Sequence, residues 1–368
     1  MNLHQENIFL TALEPSAFNY GLRIINFLLS KYKIYLIFSK SYLEKNNLLN
    51  HPNIKLVYDS DNLTVMGFFE VLSKLFLIRN VYKKIGKVIK KNKFKFCLTI
   101  DAWGFNKKLQ DLFYSIQPSS KRYHFIAPKT WAWGSFRNKS LKVLNKLFCI
   151  FPFEENYFKK YSINAKYVGN PLLDIIDISK DFILEKEKYS KNKVVLMPGS
   201  RPQEIKNHLP FLLKFSNFLV KRGYKIYMPL SLNIKDMINQ YNIPNYINLS
   251  FGNSIEILKQ ATFGVIASGT ASLEAALCGV PHIVIYKLNP FTYLLGRLLV
   301  KLPYISLVNI LLEKKLIKEH IQNLNLDKLK KDFLSLEKNR KYYLYQFLNL
   351  YKILKYGCFE NLKKELLL

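Results

Sequence analysis

Three short stretches of this chain set phosphate-binding and proton-transfer groups at the ends of apolar runs. Ala267-Ser268-Gly269-Thr270-Ala271-Ser272-Leu273-Glu274 follows the apolar segment 262–266 and opens a helical segment that Gly279 ends, with Pro281 beyond. A strand-to-helix turn exposes unpaired backbone N–H groups at the positive end of a helix dipole, which suits a phosphate. Gly269 lets the backbone approach closely, and Ser268 and Thr270 add hydroxyl donors. Glu274, one turn along, reaches vicinal hydroxyls beside that phosphate, as in the diphosphate and ribose of a nucleotide. Pro198-Gly199-Ser200-Arg201 follows a second apolar run, 193–197, and precedes the helix start Pro202-Gln203-Glu204. There the planar fork of Arg201 can neutralise a diphosphate. Both turns also admit an ordinary reading, a Ser/Thr helix cap in one and a loop-capping arginine in the other. Asp101 closes the run 96–100 and is a candidate general base at a strand's carboxyl end, with a plain helix cap as the alternative. Trp131 and Trp133, in a loop with Pro128 and Gly134, either wall a pocket or simply pack.

Elements must hold these groups in place. Segments 8–12, 34–38, 54–58, 96–100, 123–126 and 147–151 read as strands separated by helical stretches. Between the first of them and the helix at 21–29 lies a loop carrying Glu14 and Ser16 on the ligand side of the sheet. Around 165–171 the character changes, and 178–193 is a charged connector. The second half then repeats the alternation through 262–266 and 280–286. Two successive halves of this kind predict an α/β chain of two Rossmann-like, doubly wound domains facing across a cleft. The expected boundaries are 1–168, 169–340 and a Lys/Leu-rich helical tail at 341–368.

Length and composition agree with two ordinary domains: 368 residues, 49% of them hydrophobic, can bury real cores. No uninterrupted apolar run is long enough to span a bilayer, since Arg297 and Lys301 break the segment 290–312. The first residues lack a signal-peptide layout. Cys97, Cys149, Cys278 and Cys358 are scattered, which argues against a disulfide framework and a zinc site and fits a reducing cytosol. No metal or other cofactor is expected.

The net charge of +30 calls for an anionic partner or for a dull compositional cause, because lysine is abundant everywhere. No nucleic-acid motif with interleaved stacking aromatics is present, so no nucleic-acid partner is expected. The stretch from residue 65 to 91 is different. Val65, Met66, Phe68, Phe69 and Leu72 cluster at its start. Val71, Leu75, Ile78, Tyr82, Ile85 and Ile89 then share one helical face, with Lys74, Arg79, Lys83, Lys84, Lys87 and Lys90 on the others. Such a helix lies on an anionic membrane surface, or it faces the core with a solvated basic side.

Taken in order, these motifs carry a family resemblance. Pro198-Gly199-Ser200-Arg201 and Ser268-Gly269-Thr270-Ala271-Ser272-Leu273-Glu274 look like the nucleotide-sugar motifs of GT-B glycosyltransferases. Val65-Met66-Gly67, Asp101 with Phe105-Asn106, Trp131-Ala132-Trp133 and Phe151-Pro152-Phe153-Glu154 narrow the match. Val168-Gly169-Asn170-Pro171, Asn289-Pro290-Phe291-Thr292, Ser306-Leu307-Val308-Asn309 and Glu319-His320-Ile321-Gln322 complete it. Over nearly the whole chain the sequence resembles the lipid-A-disaccharide synthases. The resemblance implies an inverting transferase that moves 2,3-diacylglucosamine from UDP to the 6-hydroxyl of 2,3-diacylglucosamine 1-phosphate. It implies no metal, a cytoplasmic place at the inner membrane of a Gram-negative cell, and allows a homodimer. Asp101 and Arg201 are the expected catalytic residues. Gly199, Ser200, Arg201, Ser268, Gly269, Thr270, Glu274, Asn309 and Gln322 would hold UDP, and Glu14, Ser16 and Trp131 would lie on the acceptor side. Leu13, Ala17 and Phe18 depart from the family's first loop, Gly104 replaces a second Asp, and Val308 stands for a usual proline. Another GT-B transferase acting on a lipid-linked peptidoglycan precursor is the nearer alternative, and a basic nucleic-acid-binding protein the remoter one.

Overall fold

In the computed structural model, residues 5–64, 71–188, 192–289, 293 and 303–367 are described. The chain forms two units, Met1–Pro171 with Tyr356–Leu368, and Leu172–Lys355.

The first unit is built on seven parallel strands: β1 (Glu6–Thr11), β2 (Tyr32–Phe38), β3 (Ile54–Asp59), β4 (Phe94–Ile100), β5 (Lys121–Phe125), β6 (Lys146–Cys149) and β7 (Ala165–Tyr167). Their order is β3-β2-β1-β4-β5-β6-β7. The chain therefore builds outward from β1 in one direction, returns, and builds outward from β4 in the other. β1 and β4 meet side by side, with Thr11 paired to Thr99, so their carboxyl ends form the switch point where open α/β sheets bind ligands. Both faces of such a sheet are covered, and the strands are accordingly apolar along their length: Ile34 to Phe38 is buried without a break.

The second unit repeats the plan with six parallel strands: β8 (Lys193–Met197), β9 (Lys225–Leu230), β10 (Ile247–Phe251), β11 (Phe263–Ala267), β12 (His282–Tyr286) and β13 (Lys318–Ile321). The order β10-β9-β8-β11-β12-β13 puts its switch point between β8 and β11. Those two strands end at Pro198-Gly199-Ser200-Arg201 and Ser268-Gly269-Thr270. The stretches singled out by residue type thus stand at the switch points of their own sheets.

The helix Val71–Lys91 packs its later turns on the first unit's core. Val81, Tyr82, Ile85 and Ile89 are buried among Val57, Leu109 and Phe113, while Arg79, Lys83, Lys84, Lys87 and Lys90 are exposed. From Ile78 onward it is a core-facing helix with a solvated basic side. Val65, Met66, Phe68 and Phe69 lie outside the described residues, and Leu72 belongs to the first turn of this helix. No helix among the described residues is long and apolar enough to cross a membrane.

The C-terminal segment is shared between the units. Helices Arg340–Phe347 and Leu350–Ile353 stay with the second. The last helix, Cys358–Leu367, returns to the first, where Glu365 pairs with Lys146 at 2.6 Å and Asn361 donates to the Val168 carbonyl at 3.0 Å. Reading 341–368 as one tail misses this division, because its Lys/Leu pattern shows an apolar face and not the partner of that face.

Candidate active site

At the switch point of the first unit, the backbone carrying Asp101 makes an unusual turn. Asp101 and Ala102 have φ of 50° and 43°, so two successive non-glycine residues lie in the left-handed region. The Asp101 N–H still belongs to the sheet, donating to the Phe125 carbonyl at 2.9 Å. Its Oδ1 accepts from the Ala102 N–H at 2.8 Å, which fixes the half-buried carboxylate at the head of the helix Trp103–Ile116. Beneath it, the buried Asn106 amide donates to the carbonyls of Asp101 (2.7 Å) and Ile100 (3.3 Å). The Thr11 hydroxyl at the end of β1 donates to Asn106 Oδ1 at 2.7 Å.

Glu14 and Ser16 occupy the neighbouring turn, half-buried at the start of the helix Pro15–Leu28. The three departures in that loop are packing residues. Leu13, Ala17 and Phe18 are buried, and Phe18 stacks against Phe38 and Tyr42 at centroid distances of 5.1 and 4.9 Å. Gly104 faces open space. One strand over, Trp131 is held by Glu154: the indole N–H donates to Oε1 at 3.0 Å, and Oε2 accepts from the N–H groups of Ile150 and Phe151, both at 3.1 Å. Burial pushes the Glu154 carboxyl up to about 7, against the pull of these donors.

In the second unit, the turn after β11 keeps the anion-binding form. The Ser268 N–H is spent on the Ile285 carbonyl at 3.0 Å, so the donors left to a ligand begin at Gly269. Gly269 has φ 154° and ψ −158°, a conformation essentially confined to glycine. Among the described residues nothing beyond its chain neighbours lies within 4 Å of where its Cβ would stand, and none of their side chains caps the helix Thr270–Leu277 that follows. The Glu274 carboxyl, on that helix, has no hydrogen-bond or ion-pair partner among the described residues, and burial pushes it up to about 7. A desolvated carboxyl without a partner is suited to receiving hydroxyl donors from outside. Ser272 faces inward instead, bonded to His282 (2.8 Å) and Ser306 (3.0 Å).

In the turn after β8 two N–H groups are taken up within the chain. Glu204 Oε2 accepts from the N–H groups of Ser200 (2.9 Å) and Arg201 (3.3 Å), so the carboxylate caps its own helix, Pro202–Lys221. Gly199, at φ 117°, is required there because a Cβ would run into the Glu204 side chain. The Arg201 side chain is exposed. Asn309 and Gln322 are bonded to the chain's own loops. Asn309 is fully buried; its Nδ2 donates to the Ile317 carbonyl (2.8 Å) and Glu319 (2.9 Å), and its Oδ1 accepts from Leu316 (3.0 Å) and Ile317 (2.7 Å). Gln322 clamps Leu288, donating to its carbonyl at 2.9 Å and accepting from its N–H at 3.0 Å. Both amides build the loops beside β12 and β13.

Residue-by-residue reading did not raise His208, which bonds to the Pro198 carbonyl and the Lys287 N–H. The six histidines look dispersed in the chain, and only the fold brings this ring between two ligand-side loops. Its one sequence signal is a place on the buried face of the helix that starts at Pro202. Among the described residues no group of His, Cys, Asp and Glu could hold a metal ion.

The model of the lipid-A-disaccharide synthetase family matches residues 8–365. The chain belongs to that family. Two relatives are lipid-A-disaccharide synthases. That of Sulfurihydrogenibium sp. (strain YO3AOP1) is 35% identical over 293 residues, covering 73% of this chain and 75% of the relative. That of Aquifex aeolicus (strain VF5) is 32% identical over 339 residues, covering 91% of each. Among solved structures, the UDP-GlcNAc 2-epimerase of Neisseria meningitidis, bound to UDP-GlcNAc, superposes with a TM-score of 0.63. That likeness has 14% identity and covers 98% of this chain and 99% of the other, so it speaks for the fold alone. The fold is the GT-B type.

Proposed function

We propose that the chain is a lipid-A-disaccharide synthase, an inverting glycosyltransferase that joins 2,3-diacylglucosamine from its UDP ester to 2,3-diacylglucosamine 1-phosphate. The observation that carries this reading is the family match over residues 8–365, with the family's motif residues at the switch points of both sheets. The acceptor's 6-hydroxyl oxygen attacks C1 of the donor sugar. The new C–O bond forms as the bond from C1 to the diphosphate oxygen breaks, and the configuration at C1 inverts. The hydroxyl proton goes to the Asp101 carboxylate as general base. UDP leaves with the electron pair, its growing charge met by the Arg201 guanidinium and by the N–H groups from Gly269 onward. Glu274 accepts from the ribose hydroxyls. Asn309 and Gln322 act at one remove, by shaping the loops that Glu319 and Leu288 belong to. Every step needs one base and one electrophilic cradle, so no cofactor enters.

The acyl chains of both substrates require a membrane source, and the segment from Val65 to Leu72 with the basic side of the helix Val71–Lys91 is the proposed contact with anionic headgroups. The test is incubation with UDP-2,3-diacylglucosamine and 2,3-diacylglucosamine 1-phosphate. The expected products are UDP and the β-1,6-linked disaccharide 1-phosphate. Transfer from unacylated UDP-N-acetylglucosamine with no disaccharide from the acylated pair would replace this reading by a peptidoglycan-type transferase.

A further inference from the structure

We propose that Asn106 is a positioning residue for the reaction: it holds the Asp101 backbone in the left-handed turn that aims the carboxylate. This rests on Asp101 being the general base. Left-handed backbone is disfavoured for any residue with a Cβ, and here it occurs twice in succession, at Asp101 and Ala102. Aspartate visits this region more readily than most residues, but Ala102 has no side-chain group that would favour it. The surroundings must therefore enforce it.

Asn106 is a buried group that does so. One Nδ2 donates to the Asp101 carbonyl at 2.7 Å and to the Ile100 carbonyl at 3.3 Å, gripping the peptide units on both sides of the Asp101 Cα. The amide cannot turn away, because its Oδ1 receives the Thr11 hydroxyl at 2.7 Å. Asn106 and Thr11 are both fully buried, so neither exchanges these bonds for water. Thr11 ends β1 and Ile100 ends β4, so the bond spans the switch point itself. The first turn of the helix starts on the same residues, with the N–H groups of Phe105 and Asn106 on the Ala102 carbonyl at 3.0 and 3.1 Å. Released from Asn106, the Asp101–Ala102 backbone would relax toward ordinary φ values and turn the carboxylate away from the acceptor hydroxyl.

The experiment uses the full chain with Asn106→Ser and Thr11→Val, and with Ala102→Gly added to Asn106→Ser. Turnover is normalised to the folded fraction from near-UV circular dichroism. A displaced base should lower kcat per folded molecule by about 10–10²-fold with KM within about threefold, the loss expected for a misplacement near 1 Å. Ala102→Gly should recover several-fold of that loss, because glycine adopts the left-handed turn without the Cβ penalty. A kcat per folded molecule within about twofold of the parent for both single variants would overturn the proposal. So would a loss that Ala102→Gly leaves untouched, which marks a purely structural bond. Asp101→Asn run alongside separates the two claims: if it retains full turnover, the base assignment itself fails.

Discussion

The backbone N–H of Lys287 donates to Nε2 of His208 at 2.8 Å, across seventy-nine positions of sequence. That bond makes Nε2 the acceptor, so Nδ1 carries the proton and gives it to the Pro198 carbonyl at 2.8 Å. One buried ring thus links the turn after β8 to the turn after β12, both on the ligand side of the second sheet. Burial holds its pKa below the ordinary histidine value, which the linkage needs, since a protonated ring could not accept from Lys287.

His208→Leu should therefore cost about 1–3 kcal/mol of stability through unpaired backbone groups and should weaken UDP binding. A depressed histidine pKa means that the stabilising neutral form is present above the unfolded value of about 6.5 and is lost as pH falls through the folded value. The parent should accordingly lose stability on acidification below about 6.5 more than the variant does. Melting curves and UDP titration calorimetry check both, and unchanged UDP affinity would confine His208 to folding.

Arg201→Ala should lower activity by the equivalent of about 2–4 kcal/mol of transition-state stabilisation with the fold intact. The side chain is exposed, and Glu204 caps the turn that carries it. Steady-state kinetics beside a melting curve decide. Activity within a few-fold of the parent would remove Arg201 from the diphosphate.

Glu274 makes a two-sided prediction. Its folded pKa of about 7 lies above the unfolded 4.5, so its contribution to stability is lost as pH rises from the lower value through the higher. Glu274→Gln removes that penalty and should raise the melting temperature at pH 8. The same change removes the acceptor for the ribose hydroxyls, so UDP should bind more weakly. In the parent, UDP affinity should fall as pH drops below about 7, where the carboxyl protonates, and in the variant it should be flat. A variant that binds UDP with the parent's pH profile would refute the ribose contact.

Replacing Met66, Phe68 and Phe69 by Ser should release the protein from anionic vesicles with little change in melting temperature. Each lysine or arginine of the basic side adds about 1 kcal/mol of binding at low salt. Were these side chains core, each loss would cost about 3–5 kcal/mol and the protein would melt early. Co-sedimentation measured with thermal melting distinguishes the two outcomes.

Much of the architecture was legible because parallel strands are apolar throughout: runs such as 34–38, 96–100 and 193–197 declare themselves. Strand β13 does not, since Lys318-Glu319-His320-Ile321 is a charged edge strand whose side chains serve local loops: Glu319 caps Ile305 and Ser306, and His320 meets Asp332. The short β7 likewise hides in the stretch read as a boundary. Turn chemistry singled out Gly269 and Glu274, because glycine and a carboxylate beside a helix start carry their own physical meaning. It did not show that Glu204 caps the helix after Arg201, nor that the amides of Asn309 and Gln322 bond to the chain's own loops. A polar residue's type shows that it needs hydrogen bonds, and only the fold shows which atoms supply them.

The most direct test of the account is Asp101→Asn, measured for disaccharide turnover and for UDP affinity on the same preparation. The amide keeps the shape of the side chain and cannot take the acceptor's proton. Turnover should fall by about 10²–10⁴-fold, while UDP, bound at the other unit's switch point, keeps the parent's affinity. Turnover that survives the change, or UDP affinity that disappears with it, would contradict the assignment of Asp101 as the general base.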